Sequence, residues 1–343
     1  MLELGYKASA EQFGPRQLLE FGVFAEQCGF DSVLVSDHFH PWEHTGGHSP
    51  FAWSWLGALG ERTEHVRIGT SVVCPTLRYH PAIIAQAMAT LAVMYPRRMF
   101  FGMGTGEALN ETPATGIEMP PYKERYARLV EALQLMQRLW TEEFVTFEGE
   151  YFRTSGATIY DLPAEGVQIY LAASGKKMAE LAGHVANGLI TTSGKPMELY
   201  HDTILPAFER GARESGRNSK RLDHMIEMKV SFSIEDDRQW PTSVLGQDEK
   251  VGVYDPRELE ERSKHITDDA LVARWITSAD PDYHVQEIEK YIDLGFTNLV
   301  FHGPGDDQVR FIQAYGAEVL PRLRRKYGSR TGRTYAPVTA GIR

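Results

Sequence analysis

The sequence predicts a (β/α)8 TIM barrel. Three observations predict it: eight short apolar runs, helix-period segments between most of them, and ionisable or glycine-rich turns where the runs stop. Short continuous apolar runs mark parallel strands buried on both faces, and alternation with helices is how such strands are connected. In a barrel the chemistry gathers just past the strands' carboxyl ends. A doubly wound open sheet is the competing topology.

The first strand spans residues 2–7 and runs into a loop carrying Glu11. Pro15 opens a helix whose Leu18, Leu19, Phe21, Val23, Phe24 and Ala25 form an apolar face, closed near Gly29. The second strand, with Val33, Leu34 and Val35, halts at Asp37 and His38; a loop rich in Pro, Gly and His follows, then a helix over 51–62. Residues 66–73 form the third strand, and Pro81 opens a helix to about residue 94. The fourth strand, 99–103, enters GMGTGEALN, and a charged helix covers 123–140.

Residues 144–153 read as a hairpin, within an insertion of about 144–165. Strand five, 168–173, ends at Ser174-Gly175 before a helix over 176–184. Strand six, 188–192, ends at Ser193-Gly194-Lys195 before a helix reaching residue 213. Strand seven spans 225–233, and about 235–265 is charged and aperiodic, an irregular insertion. Helices over 268–276 and 281–294 precede strand eight, 298–302, and a last helix runs 306–327. One domain over 1–330 is expected, with 331–343 a loose tail.

A chain of 343 residues can bury one large α/β core. Its 36 basic against 46 acidic residues leave a formal charge of −10, which excludes a basic nucleic-acid footprint at the whole-chain level. An anionic substrate therefore needs local cations. Two cysteines, Cys28 and Cys74, make no disulfide framework and suit a reducing compartment. Neither a signal-peptide pattern nor an apolar run of membrane-spanning length is found, so a cytoplasmic protein with no membrane or nucleic-acid partner is expected.

The barrel brings together Glu11, Asp37 with His38 and Trp42, Ser71 to Cys74, Thr105 to Asn110, Ser174-Gly175, Thr192 to Lys195, and His302. Acids, an imidazole, an indole and glycine turns suit acid–base chemistry on an organic ring or sugar. Adjacent Asp37 and His38 cannot point the same way, so one can bind a ligand while the other faces substrate; capping and packing roles are the structural alternative. Trp42 is either a loop anchor or a wall for an aromatic cofactor. His38, His40, His44 and His48 invite a metal reading, but strands five and six offer no histidine to complete such a site, and no metal is expected. The glycines of GMGTGEALN let backbone amides approach an anion, without the dinucleotide spacing, and Glu107 fits better as an acid–base group beside a ring. Lys195, Lys250 and Arg274 are candidates for a phosphate clamp.

These motifs carry a resemblance. From LGYKASAEQF through VSDHFHPW, GGHSPF, GTSVVCPTLRYHP, GTGEALNE and TSGK to LVFHGPGDDQ, nearly the whole chain resembles the glucose-6-phosphate dehydrogenases that use coenzyme F420, a deazaflavin, within the luciferase-like barrels. The resemblance implies that Asp37, Ser71, Val72, Thr105, Gly106, Glu107, Asn110, Ser174 and Gly175 hold the deazaflavin, with a cis peptide between Ser71 and Val72 against its central ring. It implies that Thr192, Lys195, Lys250 and Arg274 bind a sugar phosphate, and that two copies pair through helices of the barrel's N-terminal half. Cys74, on the cofactor side, stands where family members have threonine, and Ser174 where they have glycine; adjusted contacts are expected there.

The implied reaction oxidises glucose 6-phosphate, or a related hexose 6-phosphate, at C1 to the lactone and passes hydride to C5 of the deazaflavin. His38 is the expected base, Glu107 the group near the ring's N1, Trp42 the shield over C1, and Glu11 a positioning group or partner in the base role. The alternatives are an FMN- or F420-dependent luciferase-like oxidoreductase with another substrate, a metal-dependent hydrolase and a non-catalytic sugar-phosphate binder.

Overall fold

The structure, a computed structural model, describes residues 1–328, so the expected tail at 331–343 lies outside the described residues. The eight predicted strands are Glu3–Ala8, Ser32–Val35, Arg67–Val73, Met99–Met103, Ile169–Ala172, Gly188–Thr192, Asp223–Ser231 and Asn298–His302. Each pairs in parallel with the next, and the eighth returns to the first with Asn298 opposite Glu3. The ring is closed, which removes the doubly wound alternative.

Side chains alternate in and out along a strand, so the interior is layered. At the N-terminal end Arg67 pairs with Glu3 at 2.7 Å and donates to the Tyr170 hydroxyl, which in turn bonds Asp223. Above lies an apolar layer of Leu34, Phe100, Tyr170, Ile190, Met225 and Val300, with Val72 packed against it. Gly69 makes room there: a Cβ on it would sit 2.1 Å from the Phe100 carbonyl oxygen. The layer at the C-terminal end is polar again, with Lys7, Ser71, Glu227 and His302. A larger apolar shell, including Leu18, Leu56, Met88, Leu133 and Phe208, fills the space between barrel and helices.

Five expectations need adjustment. Strand seven runs Asp223–Ser231, displaced toward the N-terminus from 225–233. The insertion near 235–265 is not irregular but a string of short helices, Ile234–Asp237, Pro241–Val244, Gln247–Lys250 and Pro256–Ser263. Elements of four to eight residues fall short of the roughly 11–18-residue window in which a helical period is legible, which is why the sequence pattern missed them. The helix expected over 268–276 stops at Val272, and Ile276–Thr277 instead adds a short parallel strand beside strand seven. The last helix is interrupted by a π-helical turn over Tyr315–Val319; Pro321 follows it and lacks the N–H needed to continue a regular ladder. A hairpin is present where one was expected, but it extends past residue 153, with Val145–Glu148 paired against Arg153–Ala157. No described helix is long and apolar enough to cross a membrane.

Candidate active site

At the C-terminal mouth, His38 stands between two carboxylates. Its Nδ1 lies 2.8 Å from Glu11 Oε1 and its Nε2 lies 3.6 Å from Glu107 Oε1. Burial alone would push the imidazole toward its neutral form, but the Glu11 and then the Glu107 carboxylate outweigh it and raise the pKa above the ordinary value. Burial opposes ionisation of Glu11 too, yet His38 and Lys7 hold it well below the usual carboxylate range. The pair therefore favours the imidazolium–carboxylate form over two neutral groups. Asn110 locks the arrangement: its amide donates to Glu107 Oε1 at 2.9 Å while its carbonyl oxygen accepts from the Phe39 N–H at 2.7 Å. His40 diverges from His38, its Nδ1 facing the Tyr254 carbonyl at 3.1 Å.

Asp37, in the turn after strand two, takes partners other than those of His38. Its carboxylate meets Arg78 Nη2 at 2.8 Å and accepts from the Tyr79 hydroxyl at 2.9 Å. Arg78 also reaches Glu111, whose Oε2 accepts the Arg78 N–H at 3.0 Å. Burial raises the Asp37 pKa against the opposing pull of Arg78, and Glu111 is pushed up to about 7, chiefly by burial. This ionic knot ties the turn after strand two to those after strands three and four. Sequence reasoning gave no role to Arg78, Tyr79 or Glu111.

The Ser71–Val72 peptide is cis, as the resemblance implied. The Ser71 carbonyl accepts from Lys7 Nζ and from the Ser36 hydroxyl, while its own hydroxyl donates to Glu227 Oε2 at 3.0 Å. Glu227 also pairs with Lys7 at 3.0 Å. Val72 and Gly104 form one wall; a Cβ on Gly104 would lie 3.1 Å from Val72 Cγ2. Arg125, from the helix Tyr122–Thr141, donates to the Thr105 hydroxyl and, at 2.8 Å, to the Gly106 carbonyl. Cys74 is buried, its Sγ 3.3 Å from the Thr76 hydroxyl, and burial pushes the thiol up to about 12, so it is neutral. Ser174 is exposed at the rim, and Gly175 precedes the helix Lys176–Val185 with nothing near a built Cβ.

Opposite lies a group of cations. Lys250 closes the short helix Gln247–Lys250, and its Nζ sits 4.1 Å from the centre of the Trp42 ring. Arg274 donates to the Gly194 carbonyl, next to Lys195. Thr192 lies at the end of strand six, its carbonyl held by the Tyr200 hydroxyl at 2.7 Å. A fourth cation, Lys229, was missed. It belongs to strand seven, and its Nζ donates to the Ser243 carbonyl at 2.7 Å, the oxygen that Lys250 approaches at 3.4 Å. A signal was available: Glu227 and Lys229, two apart in one strand, must point to the same side.

The matching family model is the luciferase-like monooxygenase family, aligned over residues 2–298. The chain belongs to this family. Among its relatives, an F420-dependent glucose-6-phosphate dehydrogenase of Nakamurella multipartita is 53% identical over 95% of this chain and 98% of its own length. A Nocardia farcinica protein of the same description is 50% identical over 94% and 98%. Of solved structures, an F420-dependent secondary alcohol dehydrogenase with an F420–acetone adduct superposes with a TM-score of 0.89 at 36% identity, covering 94% of this chain and 99% of its own.

The residues present fit a deazaflavin. The wall of Val72 and Gly104 and the segment from Thr105 to Asn110 offer an apolar face, backbone amides, a hydroxyl and a side-chain amide, with the neighbouring Cys74 kept neutral. At the rim, the open N-terminus of Lys176–Val185, with exposed Lys176 and Lys177, suits an anionic tail.

Proposed function

We propose that this protein oxidises glucose 6-phosphate at C1 to the lactone, with coenzyme F420 as hydride acceptor. The observation that carries the reading is the placement of the His38–Glu11 pair beside Glu107, with Lys250 beyond it answering to the Glu107 charge. An acid–base centre for a sugar hydroxyl thus adjoins a site for its phosphate. Full-length relatives of the same description support the choice of coenzyme and sugar. Bound F420 supplies the carbon that accepts hydride.

The protein's own residues do the rest. Lys195, Lys250, Arg274 and Thr192 hold the phosphate; Trp42 walls the sugar and carries Lys250 on its face. Ser71, Val72, Cys74, Thr105, Gly106, Asn110, Ser174 and Gly175 line the coenzyme groove, and Asp37, its carboxylate held by Arg78 and Tyr79, shapes the turn behind them. His38 takes the C1 hydroxyl proton, Glu11 orients and stabilises the imidazolium so formed, and Glu107, fixed by Asn110, would be the proton-handling group toward the coenzyme.

His38 must be neutral to act as base, so activity rises with pH through its raised pKa, and the acid limb of kcat/KM lies above the ordinary histidine value. In Glu11→Gln the largest raising influence is gone and burial pulls the other way, so the limb is expected to move to lower pH. An unmoved limb would detach Glu11 from His38.

Lys195→Ala is expected to raise KM for the phosphorylated sugar roughly tenfold or more while leaving F420 affinity nearly unchanged. Equal KM values would remove Lys195 from the phosphate site. Stoichiometric FMN in the purified protein, seen in its absorption bands, would contradict the coenzyme assignment. Exposed Ile83, Val93 and Met94 on the helix Pro81–Met94 fit pairing of two copies, and two unpaired cysteines fit a cytoplasmic setting.

A further inference from the structure

Lys229 has surroundings unlike those of a surface lysine. Its stem rises from strand seven, and its Nζ sits 5.6 Å from the centre of the Trp240 ring and 5.3 Å from that of Trp275. Its backbone N–H donates to the Ser193 hydroxyl at 3.1 Å, which ties it to the turn that carries Lys195. Its ammonium shares the Ser243 carbonyl with Lys250. One neutral carbonyl oxygen therefore receives two ammonium groups, a poor resting arrangement that an anion would relieve.

The charged groups facing Lys229 come from every wall. Strand seven offers Glu227, already engaged by Lys7 and Ser71; strand eight offers His302. The turn after strand six brings Lys195, the short helix Lys250, and the segment before Ile276–Thr277 brings Arg274. None of these four cations makes an ion pair with a carboxylate among the described residues. Three cations and one occupied carboxylate leave a net positive field at Nζ.

We propose that Lys229 is a fourth member of the anion site, set behind Lys195, Lys250 and Arg274, and that it gains its proton when a phosphate dianion enters. Burial, then Lys250, push its pKa down to about 7, and burial likewise brings Lys250 down to about 8. Near neutral pH part of the empty protein holds Lys229 uncharged. A dianion supplies the missing counter-charge, so the ammonium form is favoured and a proton is drawn from solvent. The site thereby prefers dianionic phosphate monoesters to neutral sugars or monoanions.

The inference rests on the reading of the cation cluster as a phosphate site, and inorganic phosphate tests it without needing the sugar. Calorimetric titration at about pH 8, in buffers of different ionisation enthalpy, gives the number of protons taken up on binding. Wild type is expected to bind phosphate and glucose 6-phosphate with net proton uptake. Lys229→Met is expected to bind both roughly tenfold more weakly with reduced uptake. Lys229→Arg, which cannot lose its proton, is expected to restore affinity with uptake still reduced. Unchanged affinity and uptake in Lys229→Met would overturn the inference. Phosphate binding that depends on Lys229, in a protein that does not bind glucose 6-phosphate, would uphold the inference and overturn the assigned sugar.

Discussion

Replacing His38 by alanine is expected to lower kcat by roughly 10²-fold or more, with a much smaller change in coenzyme affinity. The imidazole is, among the described residues, the neutral-capable base within reach of both Glu11 and Glu107. Without it, Glu11 is left as a buried carboxylate with Lys7 as its remaining cationic influence. Steady-state kinetics with saturating F420 would check the expectation. A fall of only a few-fold would move the base role to Glu107 or Glu11.

The second large effect is on stability. Arg78→Ala is expected to cost about 3–5 kcal/mol, because it removes one cation that serves two buried carboxylates. Asp37 and Glu111 have almost no exposed side-chain surface, 0% and 3%, so water cannot take the place of the guanidinium. Both acids would shift toward their protonated forms, and the three turns that the knot joins would loosen together. Urea unfolding should show a lower midpoint with coenzyme affinity reduced in parallel. A midpoint within error of wild type would mean that the knot contributes little to stability.

Much of the site was legible in the sequence because the barrel converts chain position into spatial position. Once the strand ends were found, Glu11, His38 and Glu107 had to meet, although they lie on three separate turns. The abrupt stop at Asp37 is a signal of that kind, where a buried run breaks into charge. The groups that escaped notice sit inside strands, not after them. Lys7, Glu227 and Lys229 are surrounded by apolar neighbours in sequence, and an apolar-run reading passes over them. Their importance comes from facing inward near the mouth, which the two-residue alternation of a strand could have revealed. Arg78 escaped for a different reason: its two partners come from other turns, and no local spacing announces a long-range ionic knot. The short helices around Lys250 were illegible because capping, not amphipathic period, defines them.

The central claim joins a hydride-accepting coenzyme to a phosphorylated sugar through His38. It is tested most directly by following F420 reduction by the purified protein with glucose 6-phosphate, other hexose 6-phosphates and unphosphorylated glucose. Rapid reduction with glucose 6-phosphate and much slower reduction with glucose is the predicted result. Reduction by glucose and glucose 6-phosphate at equal rates, or by no sugar phosphate at all, would contradict it.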